Sequence, residues 1–324
     1  MLAVIIAIAA IAAVLLLLGI SGNSASYLLN PPPSIGVMAA LAISLMLGLL
    51  HGATPDEHTW PITFSYAVGS YSGFGGAKAG LAFSTGFTLQ RALLSTLGFL
   101  GLAAVYKAYN LDGPVYVVVG VVMVVAGAYI LNKGRYLHFA IDSILGGALH
   151  HTAEAERIRL HEASLRSVPV KMAVVHGLIA GFGFGPYATI ITFMLAPRMP
   201  SLIFAPLPGL FFGIGTMLMQ IIFGIAFASL ARARKLSEKD ISYIGRQTGG
   251  RTLYYGGMLF AAVGALVIAF PAIENVAVST GNPIPNLNVV GLSTILVLVV
   301  VGIIGFGNLV YALARAGRAR KKNS

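Results

Sequence analysis

The chain is predicted to be an all-α integral membrane protein of about eight transmembrane helices with a 3+3 inverted internal repeat. Three observations carry that prediction. Hydrophobic residues make up 57% of the 324 and charged residues only 10%. Apolar runs near 20 residues, enough for a helix to cross roughly 30 Å of hydrocarbon, recur along the whole length. The 21 Lys and Arg are clustered, six in 133–171, six in 232–251 and five in 315–322. The runs are continuous, which excludes the alternating strands of a β-barrel. No stretch is polar enough for a sizeable soluble domain, and the absence of Cys excludes thiolate metal sites and redox relays.

Taken in order, the spans fall at about 2–20, 36–69, 77–104, 115–131, 169–197, 201–230, 252–271 and 289–313. The first is short and precedes Ser-Gly-Asn-Ser-Ala-Ser, which fits either a cleaved signal peptide or a retained helix. It lacks a basic leader, and that favours retention. With eight spans the three basic segments share one side, while loops 21–35 and 272–288, free of Lys and Arg, share the other. By the positive-inside rule both termini are cytoplasmic in a multi-pass protein of the cell membrane. The net charge of +11 thus orients the chain in a lipid bilayer and calls for no nucleic-acid partner.

A single membrane domain, 1–324, is expected. Its parts are an N-terminal helix and loop (1–35), a first three-span unit (36–131), a cytoplasmic His-containing loop (132–168), a second three-span unit (169–271), and a last helix with a basic tail (272–324). The two units match without gaps at an offset of 129. Gly48, Leu49, Gly52, Ile62, Thr63, Phe64, Ala67, Phe83 and Gly86 fall on Gly177, Leu178, Gly181, Ile191, Thr192, Phe193, Ala196, Phe212 and Gly215. After an insertion, Gly120 and Gly127-Ala128 meet Gly257 and Gly264-Ala265. A three-span repeat must run oppositely in its two copies, an architecture recurrent in transporters, with the site where broken helices meet.

The segment 36–69 would measure about 50 Å as one helix, so it is expected to tilt or break between Gly52 and Pro61, where two prolines remove backbone donors. The matching break is Gly181-Phe-Gly-Phe-Gly-Pro186-Tyr187, with Tyr187 opposite His58. The first break holds His51-Gly-Ala-Thr-Pro-Asp-Glu-His58, and Asp56 and Glu57 are the only acidic residues in any expected span. Ionisable groups at membrane depth are costly and mark functional sites. Imidazole with carboxylate suits a divalent transition metal, and both bind in their deprotonated forms, so affinity should collapse below about pH 6.

His51, Asp56 and His58 are therefore the primary candidate ligands, against a reading as interfacial caps and solvated acids. Glu57 is open between a fourth ligand, a proton acceptor and an exposed charge. Thr54, Thr59 and Thr63 either orient ligands or bond their own helix. Arg91, within the third span, either pairs with Asp56 or Glu57 or snorkels to a headgroup. His176 is either an additional ligand or a core residue, and Trp60 either a belt residue or a wall of the site. In the 132–168 loop, His138, His150, His151 and His161 read either as a metal collector or as part of an amphipathic interfacial helix.

His51, four residues and Asp56 resemble the His-x4-Asp-His helix of the nickel/cobalt transporter family and its relatives, the nickel/cobalt efflux permeases and urease-accessory membrane proteins. Here Glu57 stands where the second His is expected and His58 comes one later, a rotation of about 100° on a continuous helix. Phe83-Ser-Thr-Gly86-Phe87-Thr88 is similar to that family's Phe-x-x-Gly-His-Ser/Thr element, with Phe87 in place of His. The resemblance covers the second and third spans well and the eight-span plan loosely.

It implies secondary transport of a divalent metal ion, Ni²⁺ or Co²⁺ foremost, by alternating access between the repeats. The metal is cargo; no cofactor and no enzyme activity are expected. The alternatives are export of a small anion or amino acid through Arg91, or a membrane-embedded metal-dependent enzyme, which lacks the His-Glu-x-x-His helix of zinc proteases. There is no phosphate-binding loop, so ATP drive would need an accessory subunit, and a homo-oligomer stays open.

Overall fold

Helices account for almost all regular structure in the computed structural model, which describes residues 22–70, 72–102, 108, 111–132, 170–183, 185–231 and 238–322. The expected first span and the His-containing stretch with His138, His150, His151 and His161 lie outside the described residues.

After a short helix α1 (Gly22–Leu29), the segment expected at 36–69 is two helices, α2 (Val37–Ala53) and α3 (Trp60–Gly69). They are followed by α4 (Gly73–Phe99) and α5 (Asp112–Leu131). The next segment is again divided, into α6 (Val170–Ala180) and α7 (Pro186–Thr189), the latter continuing as a π-helical turn, Ile190–Leu195, and a 3₁₀ turn, Ala196–Arg198. Helices α8 (Leu207–Ala231) and α9 (Glu238–Ala269) lead to a two-stranded antiparallel hairpin, β1 (Val278–Ser279) with β2 (Val289–Val290). The last helix runs through α10 (Leu292–Val297), a π-helical stretch, Leu298–Phe306, and α11 (Gly307–Lys322).

Four of these helices are long and apolar enough to cross a membrane: Asp112–Leu131, Leu207–Ser229, Asp240–Ala269 and Leu292–Ala314. The outward faces of α5, one of these four, and of α4, outside them, are apolar too. Val118, Val121 and Val125, at helical spacing on α5, are each about half exposed (50%, 50% and 52%), as are Leu89 and Leu93 on α4 (56% and 50%). Water would penalise such a surface, whereas lipid does not.

Several boundaries differ from the sequence expectation. Helix α9 starts at Glu238 rather than near 252, because backbone hydrogen bonding continues through its polar residues, Lys239, Arg246 and Arg251 included, before the apolar run begins. Helix α4 stops at Phe99 instead of running to 104. Gly101 adopts φ 74°, and the Gly101 and Leu102 amides donate back to the Gly98 and Leu97 carbonyls, a glycine-dependent helix stop. The expected loops 21–35 and 272–288 are partly ordered, as α1 and as the hairpin preceded by a 3₁₀ turn, Pro271–Asn275.

The bundle is built on backbone approach at glycines. Helix α5 lies along α9, α4 along α8, α2 against α8 and α6 against α4. A Cβ added at Gly48 would strike the carbonyl of Phe212, and one at Gly177 the carbonyl of Phe83. Likewise Gly215 abuts the Leu45 carbonyl, and Gly86 that of Val174. Gly120 meets the backbone of Gly257 and Ala261, and Gly257 that of Gly120 and Val124. Between lipid-solvated helices no hydrophobic drive operates, so such close contact of small residues supplies much of the association.

Candidate metal centre

The helix α2 ends because Thr54 is extended and the next residue is Pro55; the chain resumes at Thr59, with Pro61 in the first turn of α3 where a missing amide costs nothing. The non-helical link carries Asp56, Glu57 and His58 inside the protein, each at most 9% exposed. One potential ligand atom from each of the three lies within 4.8 Å of the others. His58 Nδ1 is 3.2 Å from Glu57 Oε1, and the His58 amide donates to Asp56 Oδ1 at 3.0 Å. Donors around a tetrahedral ion with bonds of about 2.1 Å stand about 3.4 Å apart, so the trio must draw together by up to about 1.4 Å to close on one.

His51, on the last turn of α2, is 3.7 Å from Asp56 Oδ2 through Nδ1. Its ring is packed between aromatics: parallel to Phe87 at 5.5 Å, tilted on Phe212 at 5.2 Å and edge-on to Tyr187 at 5.5 Å. His51 therefore stands beside the trio, with its ion-pair contact to Asp56. Glu57 is not an exposed charge. Tyr116, in the second turn of α5, donates its hydroxyl to Glu57 Oε1 at 3.0 Å and lies parallel to the His58 ring at 5.2 Å.

The second break touches the first. Gly183, between α6 and α7, sits so close to His58 that an added Cβ would lie 2.7 Å from the imidazole. Its carbonyl accepts from Arg91 Nη2 at 2.8 Å, and the guanidinium lies over the Phe87 ring at 4.7 Å. Arg91 is thus a buried residue at the meeting of the breaks, 4% exposed, rather than a snorkelling one. Tyr187 donates its hydroxyl to the Pro285 carbonyl at 3.1 Å, with the Thr54 side chain alongside.

The other candidates divide. Thr54 donates to the Leu50 carbonyl at 2.9 Å and so caps its own helix. Thr59 occupies the N-cap position of α3 and Thr63 the next turn, both fully buried. His176 is apart from the cluster, its Nδ1 hydrogen-bonded to the Tyr66 hydroxyl at 2.6 Å. Trp60 packs edge-on against Phe223 of α8 at 4.9 Å.

Comparison with protein-family models, curated proteins and solved structures finds no match to this chain. The chemistry must be read from the site itself.

Two carboxylates and an imidazole, with a second imidazole beyond, form a donor set of oxygen and nitrogen without sulfur. Such a set takes divalent first-row metals, and two ionised carboxylates would neutralise one ion. Sequence reasoning missed two contributors, Tyr116 and the hairpin tip at Pro285 and Asn286, and marked Gly183 only as part of the second break. Asn286 donates to Thr54 Oγ1 at 3.3 Å. Tyr116 lies in a run of valines and had no local signal. For Asn286 the Asn-Pro-Ile-Pro-Asn stretch announced a turn, but not where the turn lands.

Proposed function

We propose that the chain is a secondary transporter of a divalent transition-metal cation, Ni²⁺ or Co²⁺ foremost. The observation that carries the reading is the buried Asp56–Glu57–His58 trio, held in a helix break inside an apolar helical bundle. Burying two carboxylates costs several kcal/mol each unless a cation or strong partners compensate. A permeating ion is such a compensation, and one that leaves again.

Alternating access needs two units that can rock around the site. The glycine contacts support an inverted 3+3 repeat. Gly48 with Phe212 becomes Gly177 with Phe83 when each residue is exchanged for its counterpart at the 129 offset. Gly215 with Leu45 becomes Gly86 with Val174 in the same way. At the later offset, Gly120 with Ala261 becomes Gly257 with Val124. A chance arrangement has no reason to be reciprocal. On this reading the eight-span plan, the cytoplasmic termini and the cell membrane follow from the basic segments, and the resemblance to nickel/cobalt transporters favours those two ions.

In the mechanism, Asp56, Glu57 and His58 replace water around the ion, while His51 adds a ligand when its ring moves in beside Asp56. Tyr116 fixes the Glu57 carboxylate and the His58 plane. Gly183, having no side chain, lets the second unit close directly on His58. Arg91 supplies a counter-charge to the acids when no ion is present.

Flux into proteoliposomes tests this. Ni²⁺ or Co²⁺ should cross with wild-type protein and fall to background with His58→Ala. A protein that binds metal stoichiometrically yet passes none would move the reading to a membrane-embedded metal enzyme.

A further inference from the structure

We infer that the tip of the hairpin between α9 and α10, residues 284–286, is a gate that closes the cluster on one face of the bundle. The inference rests on the transport reading above, whose site it would regulate.

The loop from 276 to 291 contains no Asp, Glu, Lys or Arg. Its base stands out from the protein, with Val276 and Val278 each 72% exposed, but its tip turns inward, and Ile284 is 6% exposed within the core. There it is fastened to both helix breaks. Asn286 Nδ2 donates to Thr54 Oγ1 at 3.3 Å, on the first residue beyond α2. The Pro285 carbonyl accepts from the Tyr187 hydroxyl at 3.1 Å, in the first turn of α7. Tyr187 is itself edge-on to His51. Ser293, just past the hairpin, faces the Tyr116 phenol that holds Glu57. The tip therefore spans the seam that the two units would have to open.

The tip is built to move as a body. The Ile284 amide donates to Asn282 Oδ1 at 2.8 Å, the Leu287 amide to the Ile284 carbonyl at 3.1 Å, and the Thr280 amide to the Asn288 carbonyl at 2.9 Å. Pro283 and Pro285 stiffen it further. Asn286 has φ 67°, the one positive value outside glycine among the described residues. Asn tolerates that conformation, which aims its amide at Thr54. By contrast, the fastenings to the breaks join neutral groups, which hold weakly and release readily. A rigid tip that seats Ile284 and Pro285 in the core and is latched by two neutral catches suits a gate that lifts as one piece.

The absence of Cys makes the test clean. Thr59, fully buried beside His58, becomes a reporter as Thr59→Cys, and its labelling by a small impermeant methanethiosulfonate is timed in sealed vesicles. Asn286→Gly keeps the left-handed backbone but removes the amide catch, and Tyr187→Phe removes the other. Together they should speed labelling about tenfold, the effect of losing two neutral hydrogen bonds from the closed state. The pair Thr54→Cys and Asn286→Cys supplies the converse. Once oxidised it should stop Ni²⁺ or Co²⁺ flux, and reduction should restore it, so the reduced protein controls for folding. Equal labelling rates with and without the catches, or full flux through the cross-linked protein, would overturn the gate. Absence of flux from wild type would instead remove the transport reading, and the labelling rates would still decide the gate.

Discussion

Tyr116 holds the two ends of one carboxylate–imidazole pair: its hydroxyl donates to Glu57 Oε1 at 3.0 Å while its ring lies flat against His58 at 5.2 Å. A residue from α5 thereby orients two neighbours that the α2–α3 link alone would leave free to turn. Partners of this kind, behind the ligands themselves, set how well a metal site is formed before the ion arrives.

Replacing Tyr116 with Phe keeps the ring and removes the hydroxyl. Affinity for Ni²⁺ or Co²⁺ should fall roughly 10-fold, within the range seen for partners of metal ligands. Competition titration against a chelating dye reads it directly. Unchanged affinity would mean that Glu57 does not bind the ion.

The geometry ranks the histidines. His58 belongs to the trio within 4.8 Å, whereas His51 stands outside it, in contact with Asp56 at 3.7 Å. His58→Ala should therefore abolish measurable binding, and His51→Ala should weaken it by a smaller factor, about 10-fold. Equal losses from both would show that His51 moves fully into the coordination sphere.

Much of this arrangement was legible in the sequence, and for physical reasons. Pro55 and Pro61 each remove a backbone donor, so a break between α2 and α3 was demanded locally, and so was the crowding of acids and imidazoles that it contains. The glycines at which the helices approach, Gly48, Gly86, Gly177 and Gly215, were visible as well. The partners of Glu57 and Thr54, by contrast, come from Tyr116 and Asn286, distant in the chain and brought in by packing. His176 shows the opposite limit: the sequence left it open between a ligand and a core residue, and only packing shows its partner, the Tyr66 hydroxyl at 2.6 Å. The start of α9 was misjudged because apolarity marks where a helix meets lipid, not where it begins.

Gly48 and Gly177 should be equally intolerant of a side chain. A Cβ at either runs into a backbone carbonyl, which cannot swing aside as a side chain would. Gly48→Val and Gly177→Val should each cost about 3 kcal/mol or more, as overpacking does. Gly302→Ala, with nothing within 4 Å, should be nearly silent. Thermal denaturation in detergent, followed by loss of the monodisperse peak, checks all three.

Arg91 lies near enough to His51 and Asp56 for its charge to act there. Arg91→Met keeps an apolar stem against Phe87 and removes a cation that opposes the incoming one. Divalent-ion affinity should rise about tenfold, while the ion-free protein becomes less stable because its acids lose a counter-charge. Titration and thermal denaturation on the same preparation read the two effects. A fall in affinity for a small oxyanion instead, with cation binding unaltered, would favour anion export through Arg91.

The most direct test of the central claim is equilibrium metal binding to the purified protein, with elemental analysis, at about pH 7.5 and about pH 5.5. Protons compete with the metal for imidazole and carboxylate, so affinity must fall as pH drops. About one Ni²⁺ or Co²⁺ per chain is expected at the higher pH, with binding much weaker at the lower pH and lost in Asp56→Asn and His58→Ala. Protein that binds no divalent metal, or binds it unchanged in both variants, would contradict it.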